Sequence, residues 1–464
     1  MKILFLSLTL SLVLCTTYSQ TQPAGKILAR TQFKKKLGCI DLKGREVVPI
    51  QYDDLGFWGN GLIAVNKGAK EVDYLMRGGK WGYCDENGKL VIPLQYAEAM
   101  TFQEGLAAVK NTGKWGFIDT KGKMIIQPRY KEARIFSEGL CAVRVGEKWG
   151  YINKHGQMVI RPEFAEAFEF ENGVAFAWIG TLANDDTGAG ATGGFFVIDK
   201  AGRRLTRSSF FYTGEWHEGF VKVKDSLGRV GFINRQGRLA VPLEYDEAED
   251  FHEGLAAVGK RVSSSDTEPQ YEYGYIDTAG RLIIKGPFHR AEPFRKGMAI
   301  VMKGVQKSSI LINYNTLNHS IVDSASQPKF ALIDRSGNYI LPFQWGGLDF
   351  IDSGCLIASR AGYFGTGVID IKGKEIVPFS YMMLNYAGND LLVGWNEEKE
   401  TSLIDTRGEL LHKTTSFTVS SVKYAHGLLT VNTGNPPKCG CVDVHGRWVI
   451  PGKYDMIWDF EPTR

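Results

Sequence analysis

A motif of thirty-odd residues recurs along this chain, and no other feature restricts its fold as much, because such a period marks units that bury their apolar faces only by stacking on one another. Three segments align without a gap: Lys80-Trp81-Gly82-Tyr83, Lys114-Trp115-Gly116-Phe117 and Lys148-Trp149-Gly150-Tyr151. Asp or Asn follows each, with Gly three residues on: Asp85 and Gly88, Asp119 and Gly122, Asn153 and Gly156. Next come a Pro (Pro93, Pro128, Pro162), an aromatic (Tyr96, Tyr130, Phe164), a second aromatic six residues later (Phe102, Phe136, Phe170) and a Gly-hydrophobic run. That run reads E-G-L-A-A-V from Glu104 to Val109, and the same six letters return from Glu253 to Val258. Turn glycines at Gly44, Gly202, Gly237, Gly280, Gly337, Gly373, Gly408 and Gly446 anchor eight further copies, eleven in all.

Local chemistry makes each copy a β unit. Trp81, Tyr83 and Asp85 alternate with Gly82 and Cys84, so a strand carries the large rings on one face, and Gly on the other lets a neighbouring unit's backbone come close. Asp-x-x-Gly is hairpin-turn chemistry, and Pro93 and its equivalents belong at a strand end or edge. Leu106-Ala107-Ala108-Val109 suits a buried strand. The expectation is an all-β fold: tandem three-stranded antiparallel units in an elongated or superhelical β-repeat array. The alternative is a propeller-like ring or two packed propellers, which eleven copies with unequal spacing disfavour but a strand-like start at Gly25-Lys26-Ile27-Leu28-Ala29 favours. The recurring Trp is core and the recurring Asp a turn former, not a general acid or base.

The Trp-Gly arrangement resembles the WG-repeat family over nearly the whole chain after its first residues, closely from Gly61 to about Gly173 and more loosely beyond about Gly297; Val230, Tyr273, Phe330 and Cys439 stand where Trp is lost. The resemblance implies a commonly exported protein and names no ligand.

Between the turn Gly and the Gly of the E-G-L run the spacing is seventeen in eight consecutive copies, from Gly44–Gly61 to Gly337–Gly354. Extra residues fall only between the L-A-A-V strand and the next Trp-equivalent strand: Asn66 to Gly79, Ile179 to Gly194, Lys260 to Tyr271 and Met302 to Lys329. A regular stack projects such lengthened hairpins from one rim, the default partner surface. The resulting division is a signal peptide at 1–19, seven units over 25–303, an insertion or boundary at 304–329 and four divergent units over 330–464.

Lys2, the apolar run Ile3 to Leu14 and the small-x-small site Thr17-Tyr18-Ser19 before Gln20 form a secretory signal, placing the mature chain in the periplasm, on the cell surface or outside. Leu14 before Cys15 argues against a lipoprotein, and no later apolar run reaches the ~20 residues of a membrane helix. The 55 basic and 51 acidic residues are scattered, which argues against nucleic acid. Cys39, Cys84, Cys141, Cys355, Cys439 and Cys441 read as buried strand residues, without a disulfide or zinc framework.

No catalytic, cofactor or metal site emerges. His217 and His252 share a repeat position and are expected close together, but two imidazoles without a carboxylate or thiol make no metal centre. His155 and His445 fall in turns. Asn184-Asp185-Asp186-Thr187-Gly188 lacks the ligand alternation of a calcium loop, and Gly188 to Gly194 precedes a strand, not the helix that phosphate cradles use. Carboxylate pairs such as Glu247 with Asp250, or Asp185 with Asp186, carry no glycosidase pattern. Trp178, Trp345, Trp395 and Trp448, outside the repeat positions, are candidates for packing or for stacking on sugars. The expected function is a non-catalytic exported module binding or scaffolding a protein or other macromolecule at the cell envelope; the alternative is a carbohydrate-binding cell-surface protein.

Overall fold

The Asp-x-x-Gly segments set the local geometry. The computed structural model describes residues 25–181, 192–262, 270–304, 328–362 and 365–463. In all eleven copies the backbone N–H four residues after the Asp or Asn donates to its side-chain oxygen at 2.8–3.0 Å. The turn Gly lies at φ between 71° and 91°, a region closed to most side chains. In nine of the eleven copies the turn joins the strand that carries the Trp position to a strand that carries a Pro; no Pro follows Gly202 or Gly408 before the next connector.

No helix occurs among the described residues, which form ten antiparallel sheets. Most hold four strands, not the expected three. In one, Glu98–Ala99, Leu106–Asn111, Lys114–Asp119 and Met124–Tyr130 lie side by side in chain order. The fourth strand is the two-residue Glu98–Ala99, whose pairing with Val109 and Lys110 is too short for alternation to reveal. Two copies share a seven-stranded sheet, because Tyr339–Phe350 runs unbroken from one into the next.

The glycine of the Trp-Gly pair serves its own sheet rather than a neighbouring unit. Trp81 lies opposite Tyr96 and Tyr83 opposite Ile92, so the Pro-bearing strand spends four residues where its partner spends two, and bulges. A Cβ on Gly82 would sit 2.4 Å from the Ile92 carbonyl oxygen; on Gly116 and Gly150 it would lie 2.5 and 2.6 Å from those of Ile126 and Ile160. Where Val or Cys replaces Trp the collision persists, at 2.6 Å for Gly231 and 2.5 Å for Gly440, whereas beside Phe330 the position is Ala331 and the partner strand keeps the same bulge, so the smallest side chain is also accommodated.

The cores lie between consecutive sheets. Trp115, Phe117, Ile126 and Tyr130 of one sheet pack on Ala133, Phe136, Cys141, Val143 and Ile152 of the next, and Trp149, Tyr151, Ile160 and Phe164 repeat the arrangement one sheet on. Within each, the ring after the Gly meets the second aromatic edge-on: Tyr83 with Phe102 at 4.7 Å, Phe117 with Phe136 at 5.1 Å, Tyr151 with Phe170 at 4.9 Å and Tyr275 with Phe294 at 4.9 Å. Such a pair contributes about 0.5–1.5 kcal/mol beyond its buried area.

Two compact units are present. The first holds the described residues up to Phe211 with Arg235–Gly237 and those from Tyr454 onward; the second holds Tyr212–Asn234 and Arg238–Lys453. In the first unit the first described strand, Ile27–Phe33, pairs antiparallel with the last, Met456–Pro462. Most of the sequence-expected boundary at 304–329 lies outside the described residues.

Of these four rings after the Gly three are tyrosines, and each hydroxyl donates to the backbone seventeen residues on: Tyr83 to Met100 O at 2.7 Å, Tyr151 to Phe168 O at 2.8 Å and Tyr275 to Glu292 O at 2.7 Å. Phe117 has no hydroxyl, and the Cys141 thiol donates to the equivalent carbonyl, Arg134 O, at 3.0 Å. Cys141→Ala is therefore expected to cost about 1–3 kcal/mol in denaturant unfolding, and adding Phe117→Tyr to recover about 1 kcal/mol of it. A double variant no more stable than Cys141→Ala would refute the exchange.

Candidate functional site

The E-G-L runs, read from sequence only as hydrophobic segments, begin with turns that fasten one sheet to the next. Gln103 and Leu106 exchange backbone hydrogen bonds around Glu104-Gly105, both at positive φ (52° and 87°), which is a two-residue hairpin turn. Glutamate is strained there, and its carboxylate offers a compensation. Glu104 Oε2 accepts the Gly139 N–H at 3.0 Å, Glu138 Oε2 that of Gly173 at 2.9 Å, Glu218 Oε2 that of Gly254 at 2.8 Å and Glu253 Oε2 that of Gly297 at 2.8 Å. Lys154 and Lys200, from the Asp/Asn-x-x-Gly turns, reach Glu104 and Glu138 at 3.1 and 3.0 Å. The sequence signal was the Glu before Gly, recurring where Asn is the usual choice.

Three of the four irregular segments lengthen one hairpin, as expected. Leu62–Val72 pairs with Leu75–Asp85 in a long arm, whereas Leu106–Asn111 and Lys114–Asp119 turn tightly. Val174–Thr181 with Thr192–Asp199, and Leu255–Arg261 with Tyr271–Asp277, are also extended. Asp185, Asp186 and Ser263 to Asp266 lie outside the described residues, as do most of Met302 to Lys329.

A surface that the sequence did not single out repeats along the Pro-bearing strands Leu90–Tyr96, Met124–Tyr130 and Met158–Phe164, each at the edge of its sheet. Ile92, Ile126 and Ile160 face the cores, while the apolar residue before each, Val91, Ile125 and Val159, is exposed in three successive sheets of the first unit. Pro93, Pro128 and Pro162 and the bulges beside them spoil these edges for further ladder pairing. What the edge offers is side chains. Two consecutive apolar residues after each of these three turns were the available signal, since alternation permits only one to face the core.

His217 and His252 do come together, with ring centroids 5.5 Å apart. Contrary to expectation a carboxylate joins them: Asp250 Oδ2 lies 3.6 Å from His217 Nε2. Its other oxygen is 3.6 Å from Lys222 Nζ, a competing cation, and no cluster of three or more His, Cys, Asp or Glu suited to a metal occurs among the described residues. His155 and His445 sit in turns, their N–H groups on Asn153 and Asp443. Glu247 faces Lys224 at 3.5 Å. Trp178 and Trp345 are 5% and 6% exposed; Trp345 in fact occupies the repeat position of Tyr96, opposite Phe330. Trp448 is exposed and Trp395 half-buried, so the four form no common sugar platform. The six cysteines among the described residues are free; five are buried, Cys355 partly, and burial pushes the thiols of Cys39 and Cys441 up to about 12 and about 11.

The family model for the WG containing repeat matches seven segments, residues 38–70, 81–115, 115–149, 149–179, 231–261, 273–304 and 440–461. The chain belongs to the WG-repeat family. No curated protein matches this WG-repeat chain. Among solved structures, similarity extends to the computationally designed Ika8 protein (11% identity, 74% of this chain and 99% of that one, TM-score 0.29). BamB from Moraxella catarrhalis (12%, 60% and 88%, 0.31) and apo AztD from Citrobacter koseri (11%, 94% and 95%, 0.26) are further examples. Scores this low carry no functional argument.

The turn carboxylates of this WG-repeat chain make its stability acid-sensitive. Partial burial alone would raise Asp199, Asp225 and Asp443, but the guanidinium and backbone N–H of Arg203, Arg229 and Arg447 outweigh it and hold each below the ordinary range. At Asp277 the Arg281 N–H and guanidinium do so directly. A carboxyl depressed in the folded state binds its proton more readily when unfolded, so this stability is complete above about pH 4 and lost as pH falls through the folded values. The urea midpoint is expected to hold down to about pH 4 and to fall as the pH is lowered below it. Changing these four residues to Asn, which Asn153 and Asn234 show the turn accepts, should flatten that fall; an unchanged slope would exclude them as its source.

Proposed function

We propose that this protein is a non-catalytic, exported repeat module that binds or scaffolds another protein. The observation that carries this reading is the exposed row Val91, Ile125 and Val159, reproduced at one position in three successive sheets. Exposed apolar side chains at regular spacing form a surface whose burial rewards association, at roughly 25 cal/mol per Å² removed from water. The prolines and bulges beside the row favour recognition through side chains over strand addition. Export is supported by Lys2, the apolar run Ile3 to Leu14 and Thr17-Tyr18-Ser19, all outside the described residues.

Two measurements test the proposal. Export with cleavage yields a mature N-terminus at Gln20; a cell-associated chain that retains Met1 refutes it. Crosslinking and pulldown from the protein's own cells should recover a partner with the natural chain and lose it with the triple variant Val91→Asp, Ile125→Asp, Val159→Asp. Each substitution is exposed and is expected to change stability by no more than about 0.5 kcal/mol. Equal recovery by the triple variant would refute the row as the binding surface.

A further inference from the structure

The longest described hairpin ends in a surface that neither the repeat nor the exposed row explains. Leu62–Val72 and Leu75–Asp85 continue past the core for several residue pairs, and Asp73 and Tyr74 make the turn at φ 52° and 62°. Every residue from Glu71 to Gly78 is exposed, Tyr74 at 96% and Leu75 at 59%, with Val72 and Met76 beside them. A hairpin tip with four large side chains in water loses solubility and gains no fold stability.

The charges around the tip are arranged as unusually as its apolar residues. Val72 lies directly opposite Leu75, and Lys70 directly opposite Arg77. Directly opposed residues share a face, and residues two apart along a strand share it as well, so the apolar pair sits above a pair of cations. Like charges across a ladder are unfavourable, and neither Lys70 nor Arg77 has an ion-pair partner among the described residues. Lys67 and Lys80 add two more opposed cations further down, against Glu71 and Asp73 near the tip.

We infer that this hairpin tip docks into the interface of an anionic phospholipid bilayer. The two-residue step from the Val72–Leu75 pair to the Lys70–Arg77 pair is about 7 Å at ~3.3 Å per residue. Interfacial apolar groups enter a bilayer by about 5–10 Å, so the cation pair lies at the depth of the lipid phosphates when Val72, Tyr74, Leu75 and Met76 reach the acyl boundary. Tyr74 suits that boundary, with an apolar ring and a polar tip. The hairpin ladder satisfies inward-facing backbone groups, so shallow entry leaves few of them unpaired. An anionic surface also removes the repulsion between the opposed cations. A convex tip exposed on both faces fits a deformable lipid surface better than a preformed protein groove.

The test uses the full chain and vesicles of phosphatidylglycerol mixed with phosphatidylcholine, against phosphatidylcholine alone, by co-sedimentation. Binding is expected to the anionic vesicles only, and to weaken as salt is raised. Lys70→Ala with Arg77→Ala should weaken it by roughly five-fold per cation removed. Val72→Ser with Leu75→Ser should weaken it at least ten-fold, with an unchanged thermal unfolding curve because neither residue is in a core. No binding to anionic vesicles, equal binding to both vesicle types, or binding indifferent to both variants overturns the inference. So does a lipid-free crosslink from position 74 to a protein partner that both variants abolish. The row Val91, Ile125 and Val159 is untouched in these variants, so the failure of one proposal leaves the other standing.

Discussion

Most of what is regular in this protein depends on one close approach, the backbone of a bulged strand against a residue with little or no side chain. The bulge lets the Pro-bearing strand present both Ile92 and Tyr96 to one core, and it comes so near Gly82 that a Cβ there would sit 2.4 Å from the Ile92 carbonyl oxygen. With that room, Trp81 and Tyr83 stand side by side facing the next sheet, and Phe102 from the connector closes on Tyr83 edge-on. Filling the space at Gly82 would push the bulge away and carry the core isoleucine with it. The Trp of the pair is replaceable by Val, Tyr, Phe or Cys because it supplies volume; the Gly supplies space, and gives way beside Phe330 only to the small Ala331.

Much of this was legible in the sequence because turn chemistry and ring spacing are local. Eleven Asp/Asn-x-x-Gly segments became eleven turns of one geometry, and the insertions fell on one hairpin. What escaped the sequence was short or relational. Glu98–Ala99 is too brief to show a period, so the units were expected with three strands. Gly82 was assigned to a contact between units because sequence does not show a bulge in the adjacent strand. The role of Glu104 depends on a Gly thirty-five residues away. Asp250 joined His217 only through packing between repeat copies, and Trp345 looked irregular because its partner Phe330 had replaced a Trp.

The same regularity separates frame from surface. Connectors between the turn Gly and the E-G turn cross from one sheet to the next and carry the core rings, so a constant length is a packing requirement there. Hairpins leading into the Trp strand end beyond the core, so they lengthen without disturbing it. Variation is confined to places where it changes what the molecule presents and not how it stands.

The pairing of Ile27–Phe33 with Met456–Pro462 gives the chain a timetable. Every other sheet is assembled from neighbours in sequence, whereas here Thr31 Oγ1 donates to Met456 O at 2.9 Å across 425 residues. At the usual pace of roughly 5–20 residues per second, tens of seconds separate the synthesis of the two strands. Throughout that interval the early sheet, complete in its own local strands, has an open edge with unpaired N–H and C=O groups, the kind of template that recruits a wrong strand. That edge is therefore covered only when a strand from hundreds of residues away, Met456–Pro462, reaches it.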